Sequence, residues 1–228
     1  MGQEEIFQQT KEQQIHMAME EIDQMVADSG QLWCDPEFEA DDGSLYDNPV
    51  QPPEWASPNV EWKRPQEIYQ GEGEPMMMKD GLSPGDVKQG ELGDCWLLGA
   101  FLCLATNPEL LRNLIYHDGI DRGYAVFRFF KNGDWQFVII DTRIPYSPTS
   151  KEPLYARCTD PQEFWVPLIE KAYAKLHKKY EFLNGGKMSE GMVDISGGVS
   201  EEYNLTAPET REMLENGSFW KLMKSYLK

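Results

Sequence analysis

Cysteine is sparse in these 228 residues and never paired at short range. Cys34, Cys95, Cys103 and Cys158 form no Cys-x-x-Cys, which excludes a thiolate zinc site and a disulfide scaffold. The four are expected to be free thiols in a reducing compartment, and by default small buried hydrophobes. Basic charge is scarce as well. Against 39 Asp and Glu stand 21 Lys and Arg, a formal net charge of -18. Such a surface repels a phosphate backbone, so nucleic acid is excluded as a partner and hard cations are favoured. No apolar run approaches the roughly eighteen residues of a membrane span. The opening MGQEEIFQQTKEQQ lacks the basic-then-apolar layout of a secretion signal. A soluble, cytoplasmic protein is the expectation.

What is present suffices for a packed core: 40% of residues are hydrophobic and 12% aromatic. Over 1–30, Ile6, Ile15, Met19, Ile22 and Met25 recur loosely at helical spacing, which predicts an amphipathic helix, either solvated or docked on another molecule. From Asp35 to Pro75, acidic residues with Pro and Gly predict loop-rich cover. GYAVFRFF and WQFVIID flank Asn132-Gly133, which predicts a tight hairpin over 124–140. EFWVPLIEKAYAKLHKKYEF predicts one amphipathic helix over 163–182, stopped by the Asn-Gly-Gly at 184–186. The tail from Thr206 predicts helix with a break at Asn216-Gly217.

The stretch QGELGDCWLLGAF, 89–101, sets Cys95 between a Gly-Asp turn and an apolar run that predicts a largely buried helix over 95–104. A thiol at a helix N-terminus is favoured as thiolate by unpaired N–H groups and the helix dipole. The amide of Gln89 could donate to a developing oxyanion. The residues alone leave two readings open, nucleophile or core cysteine.

QGELGDCWLL resembles the active-site cysteine motif of the calpains, the intracellular calcium-dependent papain-like proteases. EWKRP at 61–65, DPQEFWVPLIEKAYAKLHKKYEFLNGG at 160–186 and SEGMVDISGGVSEEY at 189–203 resemble further calpain core segments, in calpain order. The resemblance implies an α+β, papain-like cysteine protease core. Its parts are a helical subdomain over 31–185 carrying the nucleophile, a calcium site and the hairpin, then the start of a second subdomain over 186–228. By the same resemblance Cys95 is the nucleophile, Gln89 an oxyanion-hole donor, and Gly186 the glycine whose backbone pairs with the substrate chain. Calcium is implied at four positions, the carbonyls of Lys79 and Gly81 and the carboxylates of Asp86 and Glu163, all hard oxygen donors. Pro84 stands where family members often carry a basic residue.

The family mechanism also needs a histidine and an asparagine. His16, His117 and His177 stand in no Gly-His-Ala-Tyr setting and are expected to be ordinary surface residues. The expectation is therefore the nucleophile half of a calpain core, with the base half in a second subdomain. Its function is calcium-dependent limited proteolysis of intracellular proteins. The alternative is a non-catalytic calpain-like chain that binds calcium or a partner, such as another calpain chain.

Overall fold

The computed structural model describes residues 3–79 and 84–226. Its contacts divide the chain into two compact units, Met1–Gly198 and Val199–Lys228.

The first unit opens with helix α1 (Gln3–Ser29). The acidic stretch that follows is mostly irregular, with α2 (Asp42–Leu45), β1 (Glu61–Lys63) and α3 (Pro65–Ile68) as short interruptions. Next come the two-residue β2 (Val87–Lys88), helix α4 (Cys95–Leu104) and α5 (Pro108–Arg112). Strands β3 (Ile115–Gly119), β4 (Tyr124–Lys131) and β5 (Asp134–Asp141) form an antiparallel sheet with β4 at its centre. The β4–β5 hairpin turns at Asn132 (φ 56°) and Gly133 (φ 80°), the paired left-handed conformations that Asn-Gly supplies without strain. Strands β6 (Ile144–Ser147) and β7 (Glu152–Pro153) extend β1 into a second sheet, and β8 (Arg157–Cys158) pairs antiparallel with β2. Helices α6 (Trp165–Leu176) and α7 (Met188–Ser196) complete the unit.

Strand β4 is apolar on both faces because both are covered. Ala125, Phe127 and Phe129 enter the main core with Leu97 and Phe101 of α4 and Trp165, Leu168, Ala172 and Tyr173 of α6. On the opposite face Tyr124 and Val126 meet Ile15 and Ile22 of α1. The alternation of a strand thus serves two clusters. The N-terminal helix is thus neither wholly solvated nor turned to another molecule on this face: it packs on the chain's own sheet, a reading that the sequence alone did not offer. Lys11 adds an ion pair to Asp134 at 2.5 Å, and Asp23 binds Arg122 and the Tyr124 hydroxyl.

The Arg64 of EWKRP is buried and knits the same region. Its guanidinium donates to the Gly123 carbonyl at 3.1 Å, to the Thr142 hydroxyl at 2.9 Å and to the Trp33 carbonyl at 2.7 Å.

The helix expected over 163–182 is shorter. α6 ends at Leu176, and Lys178 takes φ 81°. Tertiary contact overrides the continuing periodicity. Tyr180 turns into the core, its N–H bound to the Ser44 carbonyl at 3.1 Å and its ring against Tyr155, Trp62 and Phe38. A lone 3-10 turn follows over Glu181–Leu183.

The second unit holds α8 (Pro208–Glu215) and α9 (Ser218–Ser225), parted at Asn216-Gly217 as expected. Within it Tyr203 stacks edge-on against Phe219, and the Tyr203 and Tyr226 hydroxyls both donate to Glu201.

Candidate active site

Cys95 is the first residue of α4 and is exposed, whereas Leu97, Leu98, Ala100, Phe101 and Leu104 behind it are buried. Helix burial therefore holds the backbone of the cysteine while its thiol faces solvent. Asp94 is the N-cap, yet its side chain makes no capping bond; only its carbonyl serves the helix, accepting from Leu97 N at 2.8 Å and Leu98 N at 3.1 Å. The N-cap side chain does not compete for the first N–H groups of α4, which stay available to negative charge at the thiol. Of the four cysteines only Cys158 is buried, contrary to the default of buried thiols; Cys34 and Cys103 are exposed like Cys95.

Two loops approach this helix mouth. Gln89 is exposed, and its amide nitrogen donates to the Leu92 carbonyl at 2.9 Å. That bond orients the amide and leaves its second N–H for another acceptor. On the other side the Asn-Gly-Gly segment docks on the Gly-Asp-Cys-Trp turn. Gly93 N donates to Asn184 Oδ1 at 3.0 Å, Gly185 N to the Gly93 carbonyl at 2.8 Å, and Trp96 Nε1 to the Leu183 carbonyl at 2.9 Å. Gly186 then lies flat on the Trp96 ring, where a Cβ would come within 2.4 Å of the indole. From sequence the 184–186 segment reads as a helix stop, with its Gly186 matched by the resemblance to the glycine that pairs with the substrate chain. Its docking role was missed, although two glycines in a row beyond a helix already signal a close backbone approach. Exposed Phe182 and Met188 flank this loop.

The three histidines are engaged elsewhere. His16 meets the Tyr116 hydroxyl at 3.1 Å. His117 lies in β3 rather than at a turn, stacked on Tyr124, and burial pulls its pKa down against the pull of Asp23. His177 caps α6 half-buried, against Tyr173 and 3.9 Å from Asp194, so neither of these two is the free surface residue expected.

Of the positions that the resemblance matches to calcium, Lys79, Asp86 and Glu163 lie at the β2–β8 side. The Asp86 carbonyl accepts from Thr159 N at 2.8 Å, next to the Val87–Cys158 pair. Glu163 is buried and its Oε1 accepts from Lys79 N at 2.6 Å. Burial pushes the Cys158 thiol up, and Glu163 and Asp86 both push it further, so the two carboxylates bear on one point. Gly81 lies outside the described residues. Among the described residues no cluster of three His, Cys, Asp or Glu could hold a metal, and a set of two carbonyls and two carboxylates would form none. A cavity of about 440 Å³ opens beside this region, lined by Lys88, Arg157, Cys158, Glu163 and Pro167 among others, and does not reach Cys95.

Residues 33–228 match the family model described as calpain family cysteine protease. Over 201 residues the chain is 34% identical to the calpain-type cysteine protease DEK1 of Zea mays, covering 87% of this chain and 9% of that one. It is 37% identical over 201 residues to the calpain-2 catalytic subunit of Mus musculus, covering 84% and 28%. With calpain-A of Drosophila melanogaster it shares 43% over 181 residues, covering 78% and 21%. The chain thus spans less than a third of the length of each of these relatives. With helices and small antiparallel sheets around the cysteine helix it has the α+β fold of the papain-like protease core, and it belongs to the calpain family of cysteine proteases.

Proposed function

We propose that this chain carries the nucleophile half of a calcium-dependent cysteine endopeptidase that performs limited proteolysis of cytoplasmic proteins. The observation that carries the reading is the exposed Cys95 thiol at the uncapped end of α4, with the Asn184–Gly186 loop bonded to Gly93 beside it.

In this reading the Cys95 thiolate attacks the scissile carbonyl carbon, forming a C–S bond while the carbonyl oxygen takes negative charge. The free N–H of Gln89 and the N–H of Cys95 receive that oxygen. Gly186 offers its main chain to the extended substrate. The C–N bond then breaks, the amine leaves with a proton from an imidazolium, and water cleaves the thioester. The imidazole and its orienting asparagine come from a segment outside these residues, since His16, His117 and His177 are held elsewhere.

The carbonyls of Lys79 and Gly81 and the carboxylates of Asp86 and Glu163 would hold calcium, whose all-oxygen preference they meet. Bound there, the ion supplies positive charge between the 79–86 segment and the 158–163 segment. Asp86→Ala and Glu163→Ala are each expected to weaken calcium binding at least tenfold in calorimetric titration; unchanged titrations in both variants would refute the assignment.

Incubating the chain with a thiol-directed peptidyl epoxide, with and without calcium, tests the nucleophile. Labelling at Cys95 that is lost in Cys95→Ser is expected. Failure to label Cys95 in either condition would overturn the reading. The second reading, a calpain-like chain that binds calcium or a partner chain without cutting, is favoured by the engagement of all three histidines. Cleavage of an unfolded protein by this chain alone would sink it.

A further inference from the structure

Directly beneath the Cys95 turn two carboxyl groups meet in the core. Asp94 is 0% exposed and Glu170 of α6 1% exposed. Neither Asp94 oxygen is served by an ordinary donor, and the side chain that interacts with the Asp94 carboxyl is Glu170. Both Glu170 oxygens also receive the Ala156 N–H, at 3.1 and 3.2 Å.

The titratable side chains that register the charge of the pair are tyrosines. Tyr180, beyond α6, and Tyr155, beside Ala156, feel the Glu170 charge, and Tyr46, after α2, reaches Tyr155; Glu91, further out, acts on Tyr46 and Tyr155. The nearest cation in sequence, Lys171, is committed to Asp141. Two buried anions in contact without a cation are excluded by desolvation and mutual repulsion. One must be an acid.

An Asp at an N-cap normally accepts from the second or third helical N–H. Here it points the other way. We propose that Asp94 and Glu170 hold one proton between them, Glu170 as donor and Asp94 as acceptor, and that this bond keeps the Asp94 carboxylate turned away from the mouth of α4. The device leaves the N–H groups at Cys95 and the positive end of the helix to the nucleophile and its oxyanion. Asp94 and Glu170 are positioning residues. Burial and the neighbouring carboxyl push Glu170 well above the carboxylate range, in keeping with its role as donor.

The inference rests on Cys95 as nucleophile, and its test reads the thiol directly, without proteolysis. Site-resolved alkylation of Cys95 by iodoacetamide is followed across pH in the full chain. In Glu170→Gln the amide still donates to Asp94, and the rate stays within about twofold of wild type. In Glu170→Leu the donor is gone, Asp94 swings to the helix end, and the rate at neutral pH falls about tenfold, the scale of a partly buried charge at a helix terminus. Adding Asp94→Ala to Glu170→Leu restores it. An unchanged profile in Glu170→Leu, or a Glu170→Gln loss as large as that of Glu170→Leu, would overturn the proposal. Should Glu170→Leu fail to fold, infrared difference spectra decide: a protonated-carboxyl stretch at neutral pH in wild type, absent in Glu170→Gln, is expected, and its absence in wild type refutes the shared proton.

Discussion

Exchanging Asp141 for alanine is expected to unfold this chain under conditions where the wild type is folded. Asp141, at the end of β5, is fully buried and accepts from five donors. Lys171 Nζ lies at 2.6 Å on one oxygen; Arg143 Nη2 at 2.5 Å and the Asp35 N–H at 2.9 Å lie on the other. Lys171 is itself 0% exposed, with the Arg143 carbonyl as its other hydrogen-bond acceptor. Removing the aspartate strands an ammonium in the core, which costs about 3–5 kcal/mol. That is a large share of the roughly 5–15 kcal/mol that holds a typical domain together. The urea midpoint should drop accordingly. Adding Lys171→Met to Asp141→Ala removes the stranded charge and should recover much of the loss. An Asp141→Ala midpoint equal to wild type would contradict the account.

The same network sets the acid limit. Burial alone would raise Asp141, but Lys171 and Arg143 outweigh it and hold the carboxyl below its usual value. Asp194 is likewise lowered despite burial, by the nearby His177 and by bonds from Lys131 and Tyr173. A depressed folded-state pKa contributes stability that is complete above the unfolded value, about 3.9, and is lost as pH falls through the folded one. Stability should therefore decline below about pH 4, most steeply in the wild type and less so in Asp194→Asn.

How much of this was legible depended on whether the signal was local. The hairpin was written in Asn132-Gly133, and α4 begins and ends where the apolar run from Cys95 to Leu104 does. The early stop of α6 was not, because the chain turns at Lys178 without a glycine, drawn aside by Tyr180 seeking Phe38, Trp62 and Tyr155. The docking of α1 was undecidable in the same sense: Ile15 and Ile22 mark a face, but what covers it is the far side of β4. In the candidate site, Cys95 and Gln89 are candidates from the residues themselves and the family resemblance adds Gly186, while the contact of Asp94 with Glu170 joins distant segments. An aspartate before a helix reads as an ordinary cap, and an inward one leaves no sequence trace.

Among the described glycines, Gly90→Ala should have the largest effect on both stability and the site. The chain passes so close to the 154–156 segment here that a Cβ would stand 2.1 Å from the Tyr155 carbonyl oxygen and 2.5 Å from that of Leu154. Both obstacles are backbone, so no rotamer change relieves them. The two segments must separate, breaking the bond from Glu91 N to the Leu154 carbonyl. Overpacking of this kind costs about 1–3 kcal/mol, and the upper end applies where only backbone can move. The displaced residues flank Gln89, whose amide is oriented by Leu92, and the 154–156 segment includes Ala156, whose N–H serves Glu170. One methyl group thus disturbs the proposed oxyanion donor and the proposed acid pair together. In Gly90→Ala we expect a lower thermal midpoint together with slower labelling of Cys95 by the peptidyl epoxide, whose binding needs an ordered Gln89 loop. Ala at Gly133, where a Cβ meets nothing within 4 Å, serves as the control for helix-distant strain and should leave labelling unchanged. Equal labelling in Gly90→Ala and wild type would show that the 89–91 loop tolerates displacement and that Gln89 is not held in place by its contact with the 154–156 segment.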